Sequence, residues 1–152
     1  MLTLIIGMFI IILAMDMATK YWAYNHLREV GSIPVIENIF HFTYVENRGA
    51  AFGILQDQRW IFIVATIATL VFILWYLRQM EPEIKILKIG LNLIFVGAIG
   101  NLIDRMYLGF VVDFVDFRIW PVWNVADMAI VVGTIITIGV IIFYEKAIEK
   151  GL

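Results

Sequence analysis

The stretch NLIDRMYLGFVVDFVDFRIWPVWNVAD, residues 101–127, decides how the rest of this chain is interpreted. It carries four aspartates, two arginines and two asparagines, and it lies between two long apolar runs. An ionisable side chain at the centre of a membrane-spanning helix costs about 2.5–3.5 kcal/mol on insertion scales, so such residues usually lie at an interface or serve a function. A polar cluster of this size beside apolar segments therefore predicts a site at one membrane surface.

Composition places the chain among integral membrane proteins. Hydrophobic residues make up 62% of it and charged residues only 16%, with a mean hydropathy of +0.92. A soluble domain is typically about 45–50% apolar. The net charge of −2 offers no basic surface, so no nucleic-acid partner is expected. The sequence contains no cysteine, which excludes disulfides, thiol catalysis and cysteine–metal sites.

Four apolar segments predict an all-α fold of four transmembrane helices, and we assign residues 1–152 to one integral-membrane domain. The first apolar run, residues 2–15, is too short to span alone and could instead be a secretory hydrophobic region. No Lys or Arg precedes it, however, and the helix can continue through Tyr24. The predicted spans are 2–24, 60–77, 84–106 and 123–144.

The main segment without helical character is predicted to form a small strand-rich lobe on the membrane surface, at about residues 32–57. Residues 39–45, IFHFTYV, are rich in β-branched and aromatic side chains, which is typical of a strand. Gly49 and Gly53 allow tight turns after it. Residues 107–121, between the third and fourth spans, are predicted to be a loop.

Lysine placement predicts the orientation in the membrane. An even number of spans puts both termini on one side, together with Lys85 and Lys88, and the positive-inside rule makes that side cytoplasmic. The lobe and the 107–121 loop then face the extracytoplasmic side. Five arginines also fall on that side, so the combined number of Lys and Arg residues supports this orientation less than lysine alone does. We expect several of these arginines to have specific roles.

Each polar group also has an ordinary structural interpretation. Asn124 and Asp127 fit an N-cap and an acidic first turn of the fourth span. Asp16 and Lys20 stand four residues apart on one helical face and can form an ion pair. The two histidines have no metal-ligand spacing, so neither a metal nor another cofactor is expected.

Taken together, the polar groups favour acid–base chemistry over purely structural roles. Two neighbouring carboxylates cannot both ionise easily, so one keeps a proton while the other can accept one from water. That is the chemistry of an aspartic protease. These considerations leave open which two aspartates form the pair. The candidates are Asp16, Asp104, Asp113, Asp116 and Asp127.

Five short blocks, in order along a chain with four spans, together resemble the lipoprotein signal peptidase family, signal peptidase II. The resemblance covers nearly the whole chain, and each block alone is weak. The blocks are DMATK (16–20), NRGAAFG (47–53), GNLIDR (100–105), VVDF (111–114) and NVAD (124–127). The resemblance implies a membrane-embedded aspartyl endopeptidase that cleaves diacylglyceryl-modified bacterial prolipoproteins just before the modified cysteine, and that is inhibited by globomycin.

Carried over block by block, the resemblance assigns catalysis to Asp113 and Asp127. Asp116 sits in a similar VDF context but matches no block. The chain departs from the family pattern at two positions: it has Trp123 where many members have Phe, and Gly53 where many have Ser. These differences bear only on the shape of the pocket. The same resemblance implies supporting or substrate-binding roles for Asp16, Lys20, Asn47, Asn101, Asp104, Arg105 and Asn124.

The implied partners are the diacylglyceryl-prolipoprotein substrate and membrane lipid. The implied location is the bacterial cytoplasmic membrane, with the active site at the extracytoplasmic face. The sequence does not specify an oligomeric state. Two other classes compete: a proton-coupled transporter subunit, which predicts acidic residues near mid-span, and a non-catalytic membrane scaffold, which needs no paired aspartates.

Overall fold

The computed structural model describes residues 2–49, 56–80 and 85–149, and within them it contains four long helices and three strands. Each helix includes a segment long and apolar enough to cross a membrane, which confirms the predicted fold class. The helices are α1 (Leu2–His26), α2 (Arg59–Gln79), α3 (Lys85–Tyr107) and α4 (Val125–Glu149).

The third helix is the centre of the bundle. In the most apolar stretch of α3, 56% of the residues are buried inside the protein, against 11–17% in the corresponding stretches of the other three helices. Most residues of those three helices therefore lie on the outer surface of the bundle. Glycines allow α3 and α4 to approach closely, because a Cβ on Gly97 would overlap the backbone of Ala126 and one on Gly133 would overlap the backbone of Gly90. Small residues at helix interfaces are the usual means of close packing in membranes.

The strands form one antiparallel sheet in the order β1 (Ser32–Ile36), β2 (Phe40–Asn47) and β3 (Val111–Asp116). The predicted strand-rich lobe thus supplies β1 and β2, while Gly53 lies outside the described residues. The prediction of a loop over 107–121 is wrong for its middle part, because β3 pairs with β2 there. Asp113 therefore lies on a central element of the site rather than on a loop.

One face of the sheet packs on the end of α1. A core cluster joins Ala23 and Leu27 of the α1 end to Phe110, Val112 and Phe114 of the β3 segment. Alternation along β3 therefore turns Val112 and Phe114 toward α1 and Asp113 away from them. Packing of the apolar face thus aims the Asp113 carboxyl at the space above α3 and α4.

Candidate active site

A cavity of about 950 Å³ lies at the end of the bundle that carries the sheet. Its lining includes four of the segments that the sequence singled out, β2, β3, the end of α3 and the start of α4, but not Asp16 or Lys20 of α1. The lining also includes Arg48, Gly49, Gln56, Phe62 of α2 and residues 120–123; of these, the sequence assigned a bearing on pocket shape to Trp123 and gave no role to Gln56, Phe62 or residues 120–122. Polar lining residues are Glu46, Asn47, Arg48, Gln56, Asn101, Arg105, Asp113 and Asp127.

The Asp113 side chain is buried, and each of its two carboxylate oxygens accepts a hydrogen bond. Oδ2 accepts a hydrogen bond from Asn47 Nδ2 at 2.8 Å, and Oδ1 accepts one from Asn124 Nδ2 at 2.6 Å. Burial, together with the charge of Asp127, raises the pKa of the Asp113 carboxyl to about 7, although the two amide hydrogen bonds act in the opposite direction. A carboxyl with this pKa can hold or release a proton near neutral pH.

Asp127 lies in the first turn of α4, where it forms a reciprocal cap with Asn124. The Asp127 backbone N–H donates to Asn124 Oδ1 at 2.9 Å, and the Asn124 backbone N–H donates to Asp127 Oδ2 at 3.3 Å. This is the capping-box arrangement, with Asn and Asp in place of the usual pair. The predicted cap is therefore present, and the Asn124 side chain has the additional bond to Asp113.

Asn101 links the Asp127 carboxyl to a buried lysine. Its Nδ2 donates to Asp127 Oδ1 at 2.7 Å, and its Oδ1 accepts from Lys20 Nζ at 2.9 Å and from Asn124 Nδ2 at 3.2 Å. Because the amide oxygen already accepts from two donors, the Asn101 side chain has only one favourable orientation. That orientation directs the amide N–H toward Asp127.

Lys20 is the hub of a buried ionic network. Its Nζ lies 2.8 Å from Asp16 Oδ2 and 3.1 Å from Asp104 Oδ2, and all three side chains are nearly inaccessible. The two carboxylates also accept backbone hydrogen bonds, Asp16 from Ala126 at 2.8 Å and Asp104 from Val112 at 3.1 Å. Ala126 and Val112 are the residues immediately before Asp127 and Asp113, so the network holds the backbone beside each aspartate.

Arg105 and Asp116 are two further charged groups of this region. The Arg105 guanidinium stacks 4.8 Å from the Phe62 ring centroid and donates to the Gly49 carbonyl at 3.2 Å, which joins α2, α3 and the lobe. Asp116 is buried, but it does not line the cavity and belongs to a separate hydrogen-bond cluster with Thr43 and Arg118. Among the described residues no group of three or more His, Cys, Asp or Glu side chains could hold a metal ion.

The fold and the cavity define an integral membrane protein with two carboxyl groups from separate elements at one end of a four-helix bundle. The sequence model described as "Signal peptidase (SPase) II" matches residues 8–143. The chain therefore belongs to the signal peptidase II family, whose members are membrane peptidases.

Relatives and solved structures agree with that assignment. The lipoprotein signal peptidase of Clostridioides difficile (strain 630) is 49% identical over 90% of this chain and 93% of its own length. The one from Caldanaerobacter subterraneus subsp. tengcongensis is 48% identical over 97% of this chain and its entire length. A bacterial membrane enzyme solved by the in meso method at 2.3 Å resolution aligns with a TM-score of 0.87 at 30% identity, covering 97% of this chain and 91% of that one.

Proposed function

We propose that this chain is an aspartic-type endopeptidase that removes the signal peptide from diacylglyceryl-modified bacterial prolipoproteins, cutting just before the modified cysteine. Family membership and the names of the relatives support the substrate class. One observation carries the catalytic part of the proposal. Asp113 and Asp127 line one cavity, and the charge of Asp127 acts on the Asp113 carboxyl; Asn124 joins the two elements, since its Nδ2 donates to Asp113 Oδ1 and its Oδ1 accepts the Asp127 backbone N–H.

In the proposed reaction Asp113 and Asp127 share one proton. The ionised carboxylate accepts a proton from water as the water oxygen attacks the scissile carbonyl carbon. The protonated carboxyl donates its proton to the carbonyl oxygen, which gives a tetrahedral gem-diol. The carboxyl that took the water proton then passes it to the amide nitrogen as the C–N bond breaks, and a gem-diol hydroxyl returns a proton to the other carboxylate, so the pair again shares one proton. The raised pKa of Asp113 supports a shared proton, since a buried carboxyl beside a second carboxylate is the arrangement that splits two such pKa values.

The remaining polar residues of the site are proposed to hold this pair in position. Lys20 neutralises part of the charge on Asp16 and Asp104, which in turn accept the backbone N–H groups next to the two aspartates. Catalytic groups must stay within a fraction of an ångström of productive geometry, so such supporting bonds matter for rate. Asn47, Asn101 and Asn124 orient the carboxyl oxygens, and Arg105 orders the chain at Gly49.

The cavity has an apolar side suited to a lipid-modified substrate. Met128 and Val131 of α4 line it and are about half exposed, as expected where a cavity opens to the surroundings of the bundle. Phe62 of α2 also lines the cavity. A signal helix and two acyl chains could therefore reach the aspartates laterally between α2 and α4, while water reaches them from the membrane surface.

We infer the orientation from charge. Lys85 and Lys88 lie at the end of the bundle opposite the sheet, so the positive-inside rule makes that end, with both termini, cytoplasmic. Three of the five arginines at the other end form ion pairs with acidic residues: Arg28 and Arg48 pair with Glu46, and Arg118 pairs with Asp116. The protein would then be a multi-pass protein of the bacterial cytoplasmic membrane with its active site at the extracytoplasmic face.

The proposal is tested with a synthetic prolipoprotein peptide carrying a diacylglyceryl cysteine and with the same peptide unmodified. The purified protein, in detergent or nanodiscs, should release a product whose first residue is the lipidated cysteine, as identified by mass spectrometry. The unmodified peptide should stay intact, and globomycin should block the reaction. Cleavage at another bond, equal cleavage of both peptides or no cleavage at all would overturn the proposal.

A further inference from the structure

Residues 117–122, here called the wall loop, join the element that carries Asp113 to the element that carries Asp127. The loop is closed at its base, because Trp123 pairs with Val115 in an antiparallel bridge: each donates its N–H to the other's carbonyl, at 3.1 and 2.8 Å. Its second half, Trp120 to Val122, lines the cavity together with both aspartates. The position of this loop therefore sets where one side of the cavity lies.

Asp116 fixes the start of the wall loop through three hydrogen bonds. Its Oδ1 accepts the Arg118 backbone N–H at 2.7 Å, and its Oδ2 accepts Arg118 Nη1 at 3.1 Å. Oδ2 also accepts the Thr43 hydroxyl at 2.8 Å, which connects the loop to β2. Burial alone would raise the pKa of Asp116. Its hydrogen bonds outweigh that effect and lower the pKa; they come from the Arg118 backbone, the Thr43 hydroxyl and the Arg118 side chain. These contacts therefore favour the ionised carboxylate.

The backbone of the wall loop has an unfavourable conformation that the Asp116 hydrogen bonds stabilise. Arg118 has a φ of +65°, in the left-handed region that residues other than glycine rarely adopt. Phe117 adds a second contact by stacking between Phe40 and Trp123, at ring-centroid distances of 5.1 and 6.2 Å. At the tip, Ile119 is 92% exposed, so the loop receives little support from packing there.

We propose that Asp116 is a positioning residue for the substrate-facing wall of the cavity, acting through the wall loop and not on the reacting atoms. This rests on the proposed peptidase function. Asp113 and Asp127 are held by other residues, the asparagines 47, 101 and 124, so losing the Asp116 bonds displaces the wall more than the aspartates. The effect should therefore fall on substrate binding more than on the chemical step.

The first test compares Asp116→Ala with the parent on the lipidated peptide. The KM should rise about tenfold while kcat, per active molecule, stays within about threefold of the parent, as expected when bonds to a charged group are lost at a binding surface. Asp116→Asn, which can still accept the Arg118 backbone N–H, should recover most of the loss. Ser32→Ala is the matched control, because it removes the neighbouring bond to Thr43, 2.8 Å long, without touching the loop; its KM should equal that of the parent.

A second measurement needs no activity. The chain has no cysteine, so Ile119→Cys provides a single attachment point for a spin label at the exposed tip. Adding Asp116→Ala should increase the nitroxide mobility, and adding Ser32→Ala should not. If the parent cleaves the peptide but Asp116→Ala leaves both KM and label mobility unchanged, or lowers only kcat, the positioning role is refuted. If the parent fails to cleave, the proposed function is refuted instead. In that case unchanged label mobility would still refute the proposal that Asp116 fixes the wall loop.

Discussion

Replacing Asp113 by Asn is expected to abolish cleavage and, at neutral and higher pH, to stabilise the fold. The Asp113 carboxyl has a pKa of about 7 in the folded protein, against 3.8 for an ordinary aspartate. The folded state therefore binds more protons than the unfolded state between these two values, so the stability of the parent falls as pH rises through the window. At about 1.36 kcal/mol per unit, a shift of roughly three units corresponds to about 4 kcal/mol above pH 7.

The substitution recovers only part of that free energy. Both Asp113 oxygens accept amide N–H groups, so an Asn side chain must turn its own N–H₂ toward Asn47 or Asn124. Such a mismatched buried pair costs about 1–3 kcal/mol. The net stabilisation should be about 1–3 kcal/mol at pH 8 and should vanish or reverse at pH 5, where the parent carboxyl keeps its proton.

The assay is thermal unfolding in detergent, followed by tryptophan fluorescence, for the parent and Asp113→Asn at pH 5 and pH 8. Asp57→Asn provides the control, because it removes the same charge from an exposed side chain and should show no such pH dependence. A Tm difference between Asp113→Asn and the parent that is the same at both pH values, or larger at pH 5, would refute the reasoning.

Three further predictions use other parts of the fold. The kcat/KM of the parent should decline as pH rises above about 7, because the shared proton is then lost, and a rate still rising from pH 7 to pH 9 would contradict this. Lys20→Ala leaves Asp16 and Asp104 buried without their cation and should cost about 3–5 kcal/mol of unfolding free energy in denaturant titrations. Gly97→Ala, which forces a Cβ against α4, should cost about 1–3 kcal/mol, whereas Gly7→Ala, with open space around it, should be neutral; equal effects would exclude the close-packing argument.

The four helices were predictable because hydropathy alone decides which segments can cross a membrane. The third strand was not. Val111–Asp116 contains two aspartates, which strands disfavour, and its partner β2 lies more than sixty residues earlier in the chain. Local pattern therefore predicted a loop there, and only the pairing with β2 turns Asp113 toward the cavity.

The candidate site was predictable only where it depends on local sequence pattern. The Asn124-x-x-Asp127 pattern predicts a cap, and the structure contains one. The second contact of Asn124, to Asp113, depends on how β3 reaches α4, which no local spacing encodes. Asp116 was assigned no role from the sequence, yet its buried carboxylate links the wall loop to β2.

The central claim, that Asp113 and Asp127 together activate the hydrolytic water, is tested most directly by single-turnover cleavage of the lipidated peptide. The parent, Asp113→Asn and Asp127→Asn are compared at saturating enzyme, after fluorescence-detected unfolding has shown that each is folded. We expect rapid conversion by the parent and a loss of about a thousandfold or more in each variant. A folded variant of either aspartate that cleaves within about tenfold of the parent rate would contradict it.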